Sequence, residues 1–161
     1  MHGFSHPLLG LDHVCAMVAV GLWAAQCGGR SLWLVPLTFV MVMACGASLG
    51  MAGIFIPFIE EGILLSILVL GVLLVISAPL PLLASVLIVG LFAIFHGHAH
   101  GTEMSQTFSG YSYGAGFLIA TATLHAVGIF IALFISLMGK TKMIRFAGAT
   151  VLLCGAYLCY A

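Results

Sequence analysis

Charged side chains are scarce in this 161-residue chain, which has four Lys or Arg residues and four Asp or Glu residues. A soluble domain of this size needs far more charge to cover its surface, so this class of protein is excluded. Nucleic acid is excluded as a partner because the formal net charge is zero and no basic patch exists. Because 63% of the residues are hydrophobic and the mean hydropathy is +1.31, we predict that the chain lies in a lipid bilayer.

Three further features are missing. No glycine-rich phosphate-binding loop occurs, so ATP-driven work would need a separate subunit. The five cysteines form no Cys-x-x-Cys pair and lie in or beside apolar runs, where they are interpreted as small buried hydrophobic residues. Residues 1–6 lack a basic region followed by an apolar one, so they do not predict a signal peptide, and Met1 is compatible with a native start or with a start after a removed signal.

The apolar runs are long enough for six membrane-spanning helices, since a span needs about 20 residues and lipid favours helices. All 161 residues are therefore predicted to form a single all-α transmembrane domain, a six-helix bundle. The predicted spans are Pro7 to about Gln26, about Leu32 to Phe58, Glu61 to Ala78, Leu82 to Phe95 and onward, Tyr111 to Met138, and Ile144 to Tyr160.

The basic residues predict the orientation of these spans. Arg30 lies between the first two spans, and Lys140, Lys142 and Arg145 lie between the last two. Cytoplasmic connections are enriched in Lys and Arg. The N-terminus and the C-terminus are therefore predicted to lie outside, together with the Glu60–Glu61 turn.

Most of the seven histidines gather in two polar clusters within this apolar sequence. The first cluster is residues 6–13, with His6, Asp12 and His13, and the second is residues 96–103. Ionisable groups at membrane depth are costly and indicate function. Both clusters fall on the predicted outer side, although the orientation was derived from the basic residues alone.

The second cluster has the more specific spacing. If the fourth helix continues through it, then His96, His100 and Glu103 share one face at i, i+4 and i+7, while His98 points elsewhere, toward the outer mouth. Imidazole and carboxylate groups suit divalent first-row metals. Gly97 stands where a zinc protease helix would carry its glutamate base, so the sequence does not predict an enzyme.

A lone histidine, His125, lies near the middle of the fifth predicted span. It is compatible with a structural hydrogen bond and with a place on a transport pathway. Spacing alone leaves the identity of the metal open.

The residues of both clusters resemble the HupE/UreJ family of nickel/cobalt permeases. The similarity includes residues 6–13, 20–25, 33–36, 95–103 and 120–125, and so extends over nearly the whole chain. It implies six helices, a cleaved signal peptide and a multi-pass protein of the bacterial inner membrane. It also implies metal-handling roles for His6, Asp12, His13, His96, His100 and Glu103.

The sequence therefore predicts uptake of Ni²⁺ or Co²⁺ without ATP and without a permanent cofactor. The metal would be held between the first and fourth spans, with His2, His6 and His98 at the outer mouth and His125 on the onward path. Two other classes stay open, a metal-binding sensor or accessory protein and a haem-binding membrane protein. The sequence does not distinguish a monomer from a homo-oligomer, or a channel from a carrier.

Overall fold

The computed structural model describes residues 2–77, 80–104 and 110–160, without the side chains of residues 2, 3, 6, 104, 110 and 111. Every regular element in these ranges is an α-helix, which confirms the all-α prediction. The helices are α1 (His2–Leu9), α2 (Leu11–Cys27), α3 (Ser31–Met51), α4 (Ile59–Ile76), α5 (Leu82–Met104), α6 (Gly110–Leu137) and α7 (Lys142–Leu158).

Four of these helices, α3 to α6, are long and apolar enough to cross a membrane, and α2 is a shorter apolar helix. Together with the composition, this marks a membrane protein. The arrangement of six spans and the side on which each terminus lies stay predictions.

The first predicted span is two helices rather than one. Gly10 has an extended backbone (φ −80°, ψ 114°) and separates α1 from α2. Pro7, predicted at the start of a helix, lies near the end of α1 instead. Because α2 begins at Leu11, Asp12 and His13 occupy its first turn.

The second predicted span is also shorter than expected. Helix α3 ends at Met51, and the irregular segment 52–58 follows it. Gly53 (φ +70°) and Phe58 (φ +60°) adopt left-handed backbone conformations there, which interrupt a helix. By contrast, α5 continues through the second histidine cluster to Met104, as the shared face of His96 and His100 requires.

Glycines bring α5 into backbone contact with α3. A Cβ atom added at Gly97 would clash with the carbonyl oxygen of Met43, and one added at Gly101 would clash with that of Ala47. On the facing helix, a Cβ at Gly46 would lie 2.6 Å from the carbonyl oxygen of Ile94. Small residues permit this approach, and it fixes the rotation of α5 about its axis. Gly97 and Gly101 therefore make room for the backbone of a neighbouring helix.

Candidate metal centre

Three buried imidazoles from two helices meet at one end of the bundle. His13 comes from the first turn of α2, and His96 and His100 come from successive turns of α5. The Nε2 atom of His13 lies 2.5 Å from Nε2 of His100 and 3.2 Å from Nδ1 of His96. None of the three residues is more than 4% exposed. We call these residues the imidazole cluster.

The outward-facing nitrogen of each imidazole has a polar partner. His100 Nδ1 lies 3.0 Å from a carboxylate oxygen of Glu103, one turn later on α5. His13 Nδ1 lies 3.5 Å from a carboxylate oxygen of Asp12. His96 Nε2 lies 2.9 Å from the hydroxyl oxygen of Ser66 on α4. Carboxylates and hydroxyls in these positions orient histidines that bind metals.

These partners determine which nitrogen of each ring carries the proton. The Ser66 hydroxyl donates to the carbonyl of Ile63 at 2.6 Å, so its oxygen accepts a hydrogen bond from His96 Nε2–H. Glu103 accepts in the same way from His100 Nδ1–H. In a neutral imidazole the other nitrogen then carries a lone pair. Lone pairs of His96 Nδ1 and His100 Nε2 are therefore directed at His13.

A proton on His13 Nε2 can be donated to one of these two lone pairs, and a cation between the rings would be bound by both. Within the described ranges, no group of three or more His, Cys, Asp or Glu side chains is spaced to hold a metal ion. Metal–nitrogen bonds of about 2.0–2.1 Å place neighbouring donor nitrogens about 3 Å apart. The His13 and His100 rings would therefore have to separate by about half an ångström to admit an ion.

Aromatic rings and a cavity complete the surroundings of the cluster. The Phe117 ring lies 4.0 Å from the His100 ring, centroid to centroid, and the Phe39 ring lies 5.7 Å from that of His96. A cavity of about 360 Å³ opens beside His13 and His100. Its other lining residues are Leu9, Gly10, Asp12, Glu60, Ile63, Ala99 and Glu103. Ligands can therefore reach the cluster from an acidic chamber.

Comparison with known proteins agrees with the two histidine motifs. The family model described as HupE / UreJ protein matches residues 1–158. The chain belongs to the HupE/UreJ family. The protein HupE of Rhizobium leguminosarum bv. viciae is 45% identical to it over 159 residues, which are 97% of this chain and 82% of that protein. No solved structure matches the chain.

The structure brings five of the six predicted metal residues together. Asp12 and Glu103 flank the imidazole cluster as partners of His13 and His100, with side chains 32% and 48% exposed. The sixth residue, His6, lies in α1, as does His2. The side chains of these two histidines lie outside what the structure describes.

His98 does not face an outer mouth, contrary to the prediction. Its side chain is 6% exposed and its Nε2 atom lies 2.6 Å from the carbonyl oxygen of Ile54. The reason is the position of His98 on α5, next to the glycine face that packs on α3. In this HupE/UreJ protein, His98 ties the segment 52–58 to α5.

His125 is buried on α6 without a hydrogen-bond partner. Neither of its ring nitrogens has one within the described part of the chain, and its side chain is 1% exposed. The Phe39 ring, which also contacts His96, packs edge-on against it at 5.2 Å. A buried polar group without a partner is costly, which favours a functional interpretation of His125.

Two residues at the site were missed by the sequence analysis. The sequence gives no sign that Ser66 belongs to the site, because a serine within an apolar span usually forms a hydrogen bond to the backbone of its own helix. The sequence does give a sign for Glu60, because this residue lies in the turn that was predicted on the same side as both histidine clusters. In the structure it lines the acidic chamber. The orientation argument combined with the scarcity of carboxylates could have found it.

Proposed function

We propose that this HupE/UreJ protein takes up a divalent transition-metal ion, Ni²⁺ or Co²⁺, across the bacterial inner membrane. The observation that carries the proposal is the imidazole cluster, in which each ring is held by an oxygen partner and directed at a common point. Neutral imidazoles with oxygen-backed outer nitrogens bind first-row metals. A site that must rearrange slightly to bind suits a transported ion, which has to leave again.

Distribution of charge supports the direction of transport. The acidic residues Asp12, Glu60 and Glu103 line the chamber beside the cluster, while Lys142 and Arg145 line a cavity at the opposite end of the bundle. By the positive-inside rule, the basic end is cytoplasmic and the acidic chamber faces outward. We therefore retain the six-span, multi-pass arrangement with both termini outside.

The acidic chamber would attract the hydrated ion from outside. His2 and His6, on the helix that leads into the chamber, would exchange with its water ligands. His13, His96 and His100 would then hold it, with Asp12 and Glu103 balancing its charge. An inside-negative potential contributes about 4.6 kcal/mol per 100 mV for a dication, so ATP is not required. The protein acts on no covalent bond of the ion and is not an enzyme.

His125 would receive the ion after the imidazole cluster. Its ring packs against Phe39, which also packs against His96. Its backbone lies beside Gly21, ten residues beyond the start of α2, and so deeper in the bundle than His13. A metal ion would supply a partner for the ring nitrogen that carries the lone pair.

The test is uptake of radioactive nickel by proteoliposomes containing the purified protein. His100→Ala removes one ring of the cluster, and uptake should fall more than about 100-fold. This is more than the loss of about 10–100-fold that follows when only a hydrogen-bond partner of a metal-binding histidine is removed. His98→Ala is the matched control, because it removes a buried imidazole from the same helix outside the cluster. It should keep most of the uptake.

Two results would contradict the proposal. One is equal uptake by His100→Ala and the unaltered protein. The other is metal binding without flux, which would indicate a sensor or accessory protein. A Soret absorption band in the purified protein would indicate haem instead. Competition by cobalt, zinc and copper in the same assay identifies the preferred ion.

A further inference from the structure

A pair of cysteines joins α2 to α7 close to the imidazole cluster. The sulfur atoms of Cys15 and Cys154 lie 2.9 Å apart, although 139 positions separate the two residues in sequence. Both thiols are partly buried and partly accessible. No sulfur contact of this kind follows from the motifs of the family, and the uptake proposal makes no use of it.

Cys15 and Cys154 lie at a similar distance from the same end of the bundle. Cys15 is four residues after the start of α2 at Leu11, and Cys154 is four residues before the end of α7 at Leu158. With a rise of 1.5 Å per residue, each lies about 6 Å from the end of its helix. Both helix ends belong to the end of the bundle that carries the imidazole cluster, so the pair lies within reach of the outer side.

We propose that Cys15 and Cys154 form a reversible disulfide that fastens α7 to α2. The bond itself is about 2.05 Å long, so the sulfurs need to approach by less than about 1 Å. This inference is independent of the transport function, since it concerns only the contact between two helices.

The oxidant is a disulfide, R–S–S–R, from a small molecule or a thiol oxidoreductase on the outer side. The thiolate of one cysteine attacks one sulfur, forms a mixed disulfide and releases one R–S group, which takes up the proton of that cysteine. The thiolate of the other cysteine then attacks the protein sulfur of the mixed disulfide and releases the second R–S group, which takes up the second proton. One disulfide is consumed, one is formed, and two R–SH molecules leave.

The bond would join two helices whose principal partners differ. Helix α7 packs mainly on α4, whereas α2 packs mainly on α6. A covalent link between α2 and α7 therefore ties these two helix pairs together one turn below Asp12. The two helix pairs should therefore separate at a higher temperature in the oxidised protein than in the reduced protein.

The experiment uses the full chain with Cys27, Cys45 and Cys159 changed to Ser, so that only the proposed pair remains. After treatment with oxidised glutathione, its intact mass should fall by two hydrogen atoms, with no glutathione attached. Dithiothreitol should restore the original mass. The control chain retains Cys27 and Cys154 instead, at opposite ends of the bundle, and should gain glutathione or stay unchanged.

A glutathione adduct that persists on Cys15 or Cys154, or an unchanged mass of the test chain, would overturn the proposal. The unaltered protein provides a second measurement in case the triple substitution impairs folding. After oxidation and digestion, a peptide linking Cys15 to Cys154 is expected, and its absence counts against the proposal. The oxidised protein should also unfold at a higher temperature than the reduced one, while Cys154→Ser should show no such difference.

Discussion

The two ends of this bundle are chemically opposite. One end carries the imidazole cluster and the acidic chamber, in which three carboxylates surround a cavity of about 360 Å³. The other end has a larger cavity, of about 740 Å³, lined by Lys142, Arg145 and several hydroxyl groups, with no carboxylate or imidazole among its lining residues. All eight charged residues of the chain follow this division, since Glu61 adjoins Glu60, Lys140 adjoins Lys142, and Arg30 follows the end of α2.

This difference shows how a chain with 5% charged residues can specify both orientation and ligand. By the positive-inside rule, the basic residues at one end predict that this end faces the cytoplasm. Acidic residues at the other end create a negative potential that concentrates cations. Neither set alone would make the proposed metal site, which also requires the imidazoles. The difference between the ends can therefore be tested by substituting two residues of the same type, one that contributes to the site and one that does not.

The largest effect should come from the glycines that hold α5 against α3. Gly97→Ala places a methyl group against the Met43 carbonyl, whereas a Cβ at Gly90, nearer the basic end of the same helix, meets only side-chain atoms at 3.7 Å or more. We expect Gly97→Ala to destabilise the protein by about 1–3 kcal/mol through overpacking. Thermal unfolding in detergent measures this loss.

Gly90→Ala is the control and should unfold close to the temperature of the unaltered protein. If the two variants unfold at the same temperature, the backbone contact between α3 and α5 is not what fixes the rotation of α5. The geometry of the imidazole cluster would then need another explanation.

The next effect is expected on uptake rather than on stability, from the serine behind His96. Ser66→Ala removes the hydroxyl that accepts from His96 Nε2–H, so the ring loses its preferred tautomer and orientation. Loss of an outer partner of this kind lowers metal affinity or activity by about 10–100-fold, and nickel uptake should fall within that range. Ser85→Ala, at a buried serine near the opposite end of the bundle, should leave uptake unchanged. Equal uptake by the two variants would contradict the role assigned to Ser66.

Much of the fold was predictable because lipid restricts the backbone to helices and the apolar runs mark their lengths. The boundaries of the third, fifth and sixth predicted spans agree with α4, α6 and α7 within about two residues. The break at Gly10 was not predicted. An isolated glycine within an apolar run is tolerated by a helix, and only its extended backbone shows the interruption.

Those parts of the candidate site that depend on spacing along one helix could be predicted from the sequence. Those that depend on contacts between separate segments could not. The shared face of His96 and His100 follows from a separation of four residues. Their approach to His13 depends on the packing of separate helices. The position of His98 depends on the segment 52–58, whose irregular path gives no periodic signal.

The smallest effect is expected from a single charge in the acidic chamber. Glu60 lines the chamber together with His13 and His100. Under the proposed function it would act on the ion through long-range attraction rather than by holding an imidazole. Glu60→Gln should raise the nickel concentration for half-maximal uptake by about threefold at low salt, and the difference should shrink as salt screens the charge. Glu61→Gln, one residue further along the same helix turn, is the control and should have a weaker effect. A salt-independent loss of maximal uptake in Glu60→Gln would instead show that this carboxylate contacts the ion directly, and the metal site would then extend from the imidazole cluster to α4.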